Sequence, residues 1–418
     1  MPDLPNHILP AGFQDNVQRA AFLCLAGSVS LVLVSIAASQ ILLAGACAGF
    51  LWERARRGGP AVSSSMLAWP ILALGLWTAL AAILSSDVLL NLAKLKKFLL
   101  FAVVFLVPVM AAKAGARAWI YRAIFAVAGV SASAGLVQFA LDPQRDALHR
   151  IKGFMSHWMT FSGTLMLVLI ALAAYLLCYG FRRAWWSAPL ALLAAASLYL
   201  SQTRSTLLLG ATAGLLAVAL AHRRFRTMAG LVALIAAAYL LSPAVIQHRL
   251  RAAFDPNDPN TRNRIELFGT AARLIRDHPW FGVGPQGVAV AAQSYRGDSS
   301  YPVWMYQHMH NNFLQIAAER GIPGLLLWCW LMAAFGWDAW KRLRAAQRAG
   351  PPSHVVREAR MVSTAAVGAW LALMAAGMFE YNFGDSEVLI LFLFMVSAPY
   401  ADDLAPGAPA PHPEEGLA

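Results

Sequence analysis

Charged residues are scarce in this chain: Asp, Glu, Lys and Arg together make up 13% of its 418 residues, whereas apolar residues make up 59%. Soluble domains carry about 25% charged residues, so this composition does not suit a surface that faces water alone. Apolar runs of about 20 residues, the length that crosses a bilayer, recur along the chain. The composition therefore argues against a soluble globular protein and predicts an all-α polytopic membrane protein.

Cysteine is also rare, and its placement excludes the usual cysteine frameworks. Each of the four cysteines lies inside an apolar run, and no two have a paired spacing: Cys24, Cys47, Cys178 and Cys329. This pattern favours small residues in the membrane core over disulfides or metal ligands. The N-terminal segment lacks a small-residue cleavage site before its apolar run, so we expect no removable signal peptide.

The apolar runs predict about twelve transmembrane helices. Residues 20–52 are too long for one straight span, and we expect them to divide near Ser39–Gln40. The other predicted spans are 66–84, 95–112, 117–141, 158–179, 185–200, 205–221, 225–241, 324–340, 361–380 and 384–400. Basic clusters on alternate short loops orient the chain with both termini in the cytoplasm.

This topology divides the chain into four parts. Residues 1–241 form an N-terminal bundle of about nine spans, and 242–323 form one large external loop. Residues 324–400 hold about three further spans, and 401–418, rich in Ala, Pro and Glu, are predicted to be a disordered cytoplasmic tail. Because long loops seldom lack structure and commonly carry function, the loop 242–323 is the first place to look for a site.

Basic residues also accumulate on the external side, against the bias that orients the short loops. Arg204 is the most informative of them, since "SQTRS" places it between two apolar segments. A guanidinium at the edge of the bilayer is costly unless it faces a wet cavity or a partner. We expect such an external basic face to bind an anion, such as a lipid pyrophosphate; solvated or headgroup-facing charge is the alternative.

A helix in the large loop carries a second candidate arginine. Asn263 with Glu266 three residues later resembles a capping box, which predicts that a helix opens at Arg264. Arg264 would then lie in the first helical turn, where unpaired N–H groups favour an anion. The alternative is a structural ion pair of Arg264 with Glu266 or Asp277.

The stretch "HMHNNFLQIAAERGIPG", from His308 to Gly324, is an unusual entry to an apolar run. Asn311 or Asn312 suits the N-cap of a helix that ends near Gly321. Asn311, Gln315 and Glu319 would form one polar stripe on that helix. We expect His310, just before the helix, to remain neutral and to act as a general base, although a histidine in a loop is often only a hydrogen-bonded residue.

These motifs resemble those of bacterial O-antigen ligases. His310-Asn311, nine residues and then Gly321-Ile322-Pro323-Gly324 is similar to their H-N-x9-G-x-x-G signature. "RIELFGTAARLIRDHPWFGVGPQG" is similar to a stretch of the wider ligase–polymerase superfamily. "GFMSHWMTFSG", with His157, resembles an external segment of these ligases, and "SQTRS" resembles their short arginine loop.

The resemblance implies a membrane-embedded glycosyltransferase with the GT-C architecture, and we expect it to invert the configuration of the sugar and to need no metal or cofactor. Such an enzyme transfers O-antigen polysaccharide from undecaprenyl pyrophosphate to a sugar hydroxyl of lipid A–core. His310 would be the general base, and Arg204 and Arg264 would bind the pyrophosphate, with Arg262 as an alternative to Arg264. The carboxylates offer no convincing metal site, because Asp255 and Asp258 lie in the turn-forming "DPNDPN".

Further expectations concern the surroundings of the site. Supporting roles fall to Asn311, Gln315, Arg262 and His157. Candidate contacts to the acceptor are Lys94, Lys96, Lys97, Arg145 and Lys152. Glu380, Tyr381 and Asn382 are candidates for the cavity wall. We expect a monomer in the inner membrane of a Gram-negative bacterium, with a periplasmic active site and with membrane lipids but no nucleic acid as partners.

Three other functions fit parts of the pattern. An O-antigen polymerase uses the same donor with another lipid-linked glycan as acceptor. A protein O-oligosaccharyltransferase usually has additional C-terminal sequence. A transporter of lipid-linked glycan would bind without chemistry, but no inverted repeat or pair of interrupted helices is evident.

Overall fold

The computed structural model describes residues 10, 13, 15–58, 67–142, 150–223, 255–297, 301–351 and 353–404, with isolated positions between 229 and 252. Within these ranges every regular element is helical and no strand occurs. This confirms the prediction of an all-α chain. The span predicted at 225–241, Arg145 and residues 405–418 of the predicted tail lie outside the described residues, apart from a few positions of that span.

The first half of the described chain is built from ten α-helices. In chain order they are α1 (Asn16–Leu31), α2 (Ile36–Arg57), α3 (Ala68–Ile83), α4 (Val88–Leu92), α5 (Ala102–Met110), α6 (Ala116–Leu141), α7 (Trp158–Tyr179), α8 (Phe181–Ala184), α9 (Ser187–Leu200) and α10 (Thr212–Ala221). A 3-10 helix, Ala93–Phe101, precedes α5, and a π-helix, Ser205–Ala211, precedes α10.

The second half contains five more α-helices and several 3-10 turns. The α-helices are α11 (Pro259–Asp277), α12 (Val288–Ala291), α13 (Asn312–Arg348), α14 (His354–Ala376) and α15 (Ser386–Ser397). The 3-10 turns are Ala292–Tyr295, Val303–Gln307, Asn382–Gly384 and Ala398–Leu404. The last element thus extends beyond Tyr400, where the sequence predicted the tail to begin.

Five described helices are long and apolar enough to cross a membrane: α2, α6, α7, α13 and α14. Shorter apolar helices cover Ala68–Ile83, Ser187–Leu200 and Ser205–Ala221. These elements are consistent with a polytopic membrane protein. The count of twelve spans stays a prediction.

Residues 20–52 divide into two helices, as predicted, but the break lies elsewhere. Helix α1 ends at Leu31, and the Ser35 hydroxyl accepts a hydrogen bond from Ala38 N, which caps the start of α2. Ser39, where we expected the break, lies inside α2, and its hydroxyl donates to Ser28 O at 2.7 Å. The prediction was wrong because a serine inside a helix can bond to a neighbouring helix as well as open a turn.

The centre of the molecule is formed by α7, α14 and α15. Helix α14 packs against α7, α10, α13 and α15, and residues 388–397 of α15 are all buried. Because α15 is apolar on every side, it is stable only when surrounded by other helices or lipid. The turn that joins α14 to α15 is therefore held at a defined position beside the start of α13.

The segment from α11 to the start of α13 has a small hydrophobic core of its own. Leu267, Ala271 and Leu274 from α11 pack with Tyr306, Met309 and other apolar residues of the same cluster. Ala318 of α13 belongs to this cluster too. The core thus attaches α11 to the first part of α13.

Helix α11 begins earlier than the sequence predicted. Asp258 caps it by accepting hydrogen bonds from the N–H groups of Asn260 and Thr261, and Pro259 is its first residue. Pro at the first helical position is favourable, because its missing N–H would have no partner there. The expected capping box at Asn263 and Glu266 was wrong, and Arg264 lies beyond the first turn.

Helix α13 is kinked at Gly321, as the predicted end near that residue anticipated. Gly321 has φ 72° and ψ 179°, a conformation that only glycine adopts readily. The loop after α11 bonds to this kink: Val283 N donates to Ala318 O, Gly284 N to Glu319 O, and Ile322 N to Pro279 O. The first two bonds satisfy carbonyl groups that the kink leaves free, and the third satisfies the N–H group of Ile322.

Substituting Gly321 tests whether this junction depends on glycine. An added Cβ would lie 2.0 Å from Trp280 O and would also force a side chain into an unfavourable φ, so Gly321→Ala should destabilise the fold by about 1–3 kcal/mol or more. Thermal unfolding of the purified protein followed by intrinsic fluorescence measures the effect. Gly350→Ala is the control, because nothing lies within 4 Å of its added Cβ; equal melting temperatures for both variants would contradict the interpretation.

Candidate functional site

A buried carboxylate, Glu380, lies at the centre of the candidate site. It follows α14 and is 4% exposed. Its Oε1 accepts hydrogen bonds from Arg264 Nη2 at 3.0 Å and from Ser205 Oγ at 3.1 Å. Its Oε2 lies 3.1 Å from His310 Nδ1. One side chain therefore joins three segments that are far apart in the sequence.

The start of α13 holds His310 against this carboxylate. Asn311 is the N-cap: its Oδ1 accepts from Phe313 N and Leu314 N, and its Nδ2 donates to Met378 O. Asn312 N donates to Gly377 O at 2.7 Å. Two adjacent asparagines thus bind the start of α13 to the turn that carries Glu380. The predicted N-cap at this position is confirmed.

His310 has a left-handed backbone conformation, with φ 46°. Such a φ is uncommon for a residue other than glycine, and it is sustained only where the surrounding structure imposes it. The conformation turns the chain between the preceding loop and the capped helix. The imidazole is partly exposed, so it is both held in place and open to solvent.

Arg264 and Arg262 have different environments. Arg264 forms an ion pair with Glu380 at 3.0 Å and has a side chain that is 30% exposed, whereas Arg262 is exposed. Neither alternative partner considered for Arg264 contacts it: Glu266 pairs with Arg273, and Asp277 pairs with Arg276. The structure therefore identifies Arg264, and not Arg262, as the arginine that contacts Glu380, a choice that the sequence left open.

Arg204 lies near Arg264 and has few partners of its own. Its side chain is 18% exposed, its closest carboxylate oxygen is Asp258 Oδ1 at 3.9 Å, and it makes no hydrogen bond within the described part of the chain. Burial lowers the pKa of Arg204, and the charge of Arg264 lowers it further, although Asp258 acts in the opposite direction. An anion at this position would compensate two neighbouring cations.

The local fold around Arg204 is irregular. Gln202 has φ 54°, and a π-helix begins at Ser205, directly after Arg204. Such π-helical segments are rare and often occur at functional sites. The irregularity brings Ser205 to the carboxylate of Glu380.

Two further histidines lie close to Glu380. The rings of His308 and His310 are 4.2 Å apart at their centroids, and burial together with the charge of His310 lowers the pKa of His308 to about 4. His157 caps α7 by accepting from Met159 N at 3.2 Å. Its pKa is lowered by burial, while Glu380 acts in the opposite direction. With a pKa of about 4, His308 is neutral at physiological pH.

The other residues that the sequence suggested for the site range from buried to exposed. Gln315 is buried, accepts from Met309 N and donates to Glu319, so the predicted polar stripe is an internal one. Lys97 donates to Gly384 O and lines a small cavity with Arg320 and Tyr381. Lys94 is partly exposed, while Lys96 and Lys152 are exposed.

The described part of the chain contains no recognisable metal-binding site. No group of three or more His, Cys, Asp or Glu side chains there is arranged to hold a metal ion. Asp258, one of the carboxylates considered from the sequence, caps α11.

The sequence predicts only a position in the cavity wall for Glu380, and its contacts are not apparent from it. One signal was available: in "MFEYNFG" a lone carboxylate lies between two apolar runs on the predicted external side. Its partners were not predictable, because Ser205, Arg264 and His310 are separated from it by 70 residues or more. The pKa of Glu380 is lowered even though burial raises it, because His310 and Arg264 stabilise the carboxylate.

Fold and site together define an all-helical membrane protein with a histidine, two arginines and a carboxylate grouped between its apolar helices. A family model described as O-antigen ligase matches residues 189–329, a range that includes Arg204, Arg264 and His310. The chain is also 32% identical, over 168 residues, to an O-antigen ligase of Pseudomonas aeruginosa. That match covers 38% of this chain and 37% of the relative, so it spans well under half of that protein. These findings confirm the resemblance to the O-antigen ligase superfamily.

Proposed function

We propose that this protein is an O-antigen ligase. It transfers O-antigen polysaccharide from undecaprenyl pyrophosphate to a sugar hydroxyl of lipid A–core. The observation that carries this proposal is the convergence of His310 and Arg264 on one buried carboxylate, with Arg204 within electrostatic range of Arg264. A base for a hydroxyl and two cations for a diphosphate are the groups that this transfer requires.

The two arginines retain donors for a pyrophosphate. Arg264 gives one N–H to Glu380, and its guanidinium carries five N–H donors in total. Among the described residues, the nearest carboxylate oxygen to Arg204 is that of Asp258, at 3.9 Å, which is too far for a hydrogen bond. Guanidinium groups suit phosphate oxygens because their planar fork offers two parallel hydrogen bonds. The donor diphosphate would therefore bind on the Arg204 side of Arg264, away from Glu380.

The reaction follows from this arrangement. His310 accepts the proton of the acceptor hydroxyl, whose oxygen attacks the anomeric carbon of the donor sugar and inverts its configuration. The bond from that carbon to the pyrophosphate oxygen breaks, and the arginines stabilise the charge that develops there. One such contact contributes about 3 kcal/mol in the transition state. Because the arginines supply this charge, we propose that catalysis is metal-independent.

The proposal includes a location and a domain plan. Residues 1–241 and 324–400 would hold about twelve spans in a GT-C arrangement, in the inner membrane of a Gram-negative bacterium. Residues 242–323 would form the large periplasmic loop that carries Arg264 and His310. The last residues, to position 418, would form a disordered cytoplasmic tail, and the protein would act as a monomer.

Secondary roles are assigned to the remaining candidates. Asn311 and Gln315 support His310 by fixing the start of α13. His157, close to Glu380, would contribute to the wall of the site. Contacts to phosphorylated lipid A–core would come from Lys94, Lys96, Lys97, Arg145 and Lys152.

Reconstitution of the purified protein with lipid-linked glycan and lipid A–core tests the proposed function. We expect a product in which glycan and lipid A–core are joined, detected by gel mobility and mass spectrometry. A longer lipid-linked glycan formed from donor alone would identify a polymerase and contradict the proposal. Flipping of the donor without a joined product would identify a transporter.

The same assay tests His310 as the base. His310→Ala should reduce the rate by about 100-fold or more, as expected for loss of general base catalysis. The control is His278→Ala, since His278 lies in the same external segment, bonded to Tyr295. Activity of the His310 variant equal to that of the control would refute the assignment.

The arginines are tested by a matched set of variants. Arg204→Ala and Arg264→Ala should each lose about 100-fold in kcat/KM, in line with removal of one electrostatic contact in the transition state, while Lys variants should retain part of the activity. Arg262→Ala should have the wild-type rate, because Arg262 is exposed and the arginine that bonds to Glu380 is Arg264. Wild-type kinetics for both alanine variants of Arg204 and Arg264 would remove the pyrophosphate site.

Metal independence has a direct test. Initial rates in excess EDTA should equal those without chelator, because the proposed charge stabilisation comes from side chains of the chain itself. Addition of magnesium should change neither rate. A loss of turnover in EDTA that magnesium restores would show that a cation takes part.

A further inference from the structure

The two oxygens of Glu380 have separate partners. Oε1 accepts hydrogen bonds from Arg264 and Ser205, and Oε2 lies within hydrogen-bond distance of His310. Since Arg264 lies on α11 and Ser205 at the start of the π-helix, two different elements hold one oxygen of the carboxylate. The carboxylate is therefore prevented from rotating, and Oε2 is directed at the imidazole.

An ionised carboxylate accepts hydrogen bonds and donates none. A contact of 3.1 Å between Oε2 and Nδ1 therefore requires the proton of a neutral His310 to be on Nδ1. Nε2 is then left with a free lone pair, which is the form that a general base needs. When the imidazole becomes charged during the reaction, the same carboxylate stabilises it.

We propose that Glu380 is a positioning residue that holds His310 in the Nδ1-protonated tautomer and stabilises its charged form, with Ser205 and Arg264 orienting the carboxylate. This inference rests on the proposed function, because it gives Glu380 a role in preparing the base. Glu380 lies outside the segment 189–329 that the family model matches. The left-handed backbone at His310 adds to the constraint on where the ring can lie.

Several charged or titratable groups face this pair, so a pH effect has to be separated from theirs. They are Arg264 on α11, His308 in the same loop as His310, His157 at the start of α7, Asp385 before α15 and, through Arg264, Arg204. Arginine stays charged across the working range, and the pKa of His308 is about 4. His157 is the remaining histidine near the pair, and burial raises the pKa of Asp385 to about 7, so a background with His157→Gln and Asp385→Asn removes both titrations.

The test compares Glu380→Gln with Glu380→Asp. Gln keeps the size of the side chain but removes its charge, and its amide can present either an acceptor or a donor to Nδ1. We expect kcat to fall about 10- to 100-fold with little change in KM, which is the range for a charge-assisted hydrogen bond. Asp keeps the charge and should recover part of the rate.

The pH–rate profile separates positioning from a structural role. A base works only when unprotonated, so the rate rises with pH. Without the carboxylate, protonation of the imidazole becomes less favourable, and the acidic limb should move to lower pH in Glu380→Gln but not in Glu380→Asp. A lower rate with an unmoved limb, or a wild-type rate, would overturn the inference. Asp277→Asn, an exposed carboxylate paired with Arg276, is the matched control.

A second measurement does not depend on turnover. Nitrogen NMR of protein labelled at histidine, with His310→Ala to assign the signal, reports which ring nitrogen carries the proton. We expect Nδ1–H in the wild type and a mixture of tautomers in Glu380→Gln; the same tautomer in both would reject the role of Glu380. Melting temperatures show whether each variant is folded. Absence of any joined product with wild-type enzyme would instead contradict the proposed function, and the tautomer result would stand independently of it.

Discussion

The buried carboxylate of Glu380 is the interaction on which the candidate site depends. A charged group that is 4% exposed is stable only when its partners compensate the loss of water, and Arg264, Ser205 and His310 provide that compensation. Each partner comes from a different part of the chain. Forming this one cluster therefore requires the π-helix, α11 and the start of α13 to have reached their final positions.

The backbone around the cluster is strained where the side chains are placed. His310 has a positive φ, and so has Gln202, two residues before Arg204. Both lie next to hydrogen-bonded segments: Asn311 caps α13 and bonds to Met378 O, and a π-helix follows Arg204. Strain of this kind persists where neighbouring contacts over-determine the conformation. The contacts that keep these two backbone conformations in place also restrict the movement of His310 and Arg204.

Glycine residues in the loop after α11 bring two separate sequence motifs into contact. Gly282 and Gly284 have positive φ, and their loop lies against the carbonyl groups of Ala318 and Glu319 just before the kink at Gly321. An added Cβ at Gly282 would come within 2.5 Å of Ala318 O. The "FGVG" stretch and the "ERGIPG" stretch are thus two halves of one junction. This junction sets the position of α13, and His310 directly precedes the N-cap of that helix.

The sequence by itself determined the class of the protein, because apolar runs and helix caps are local features: the all-α fold, helix α7 at 158–179, the N-cap at Asn311 and the kink near Gly321 all follow from neighbouring residues. It also identified His310, Arg204 and Arg264 as candidates, from their local sequence and from a resemblance whose motifs are confined to short segments. Only the tertiary structure decided which groups meet. The start of α11 at Pro259, the choice of Arg264 over Arg262 and the partners of Glu380 depend on contacts between residues far apart in the chain, and no local pattern encodes such contacts.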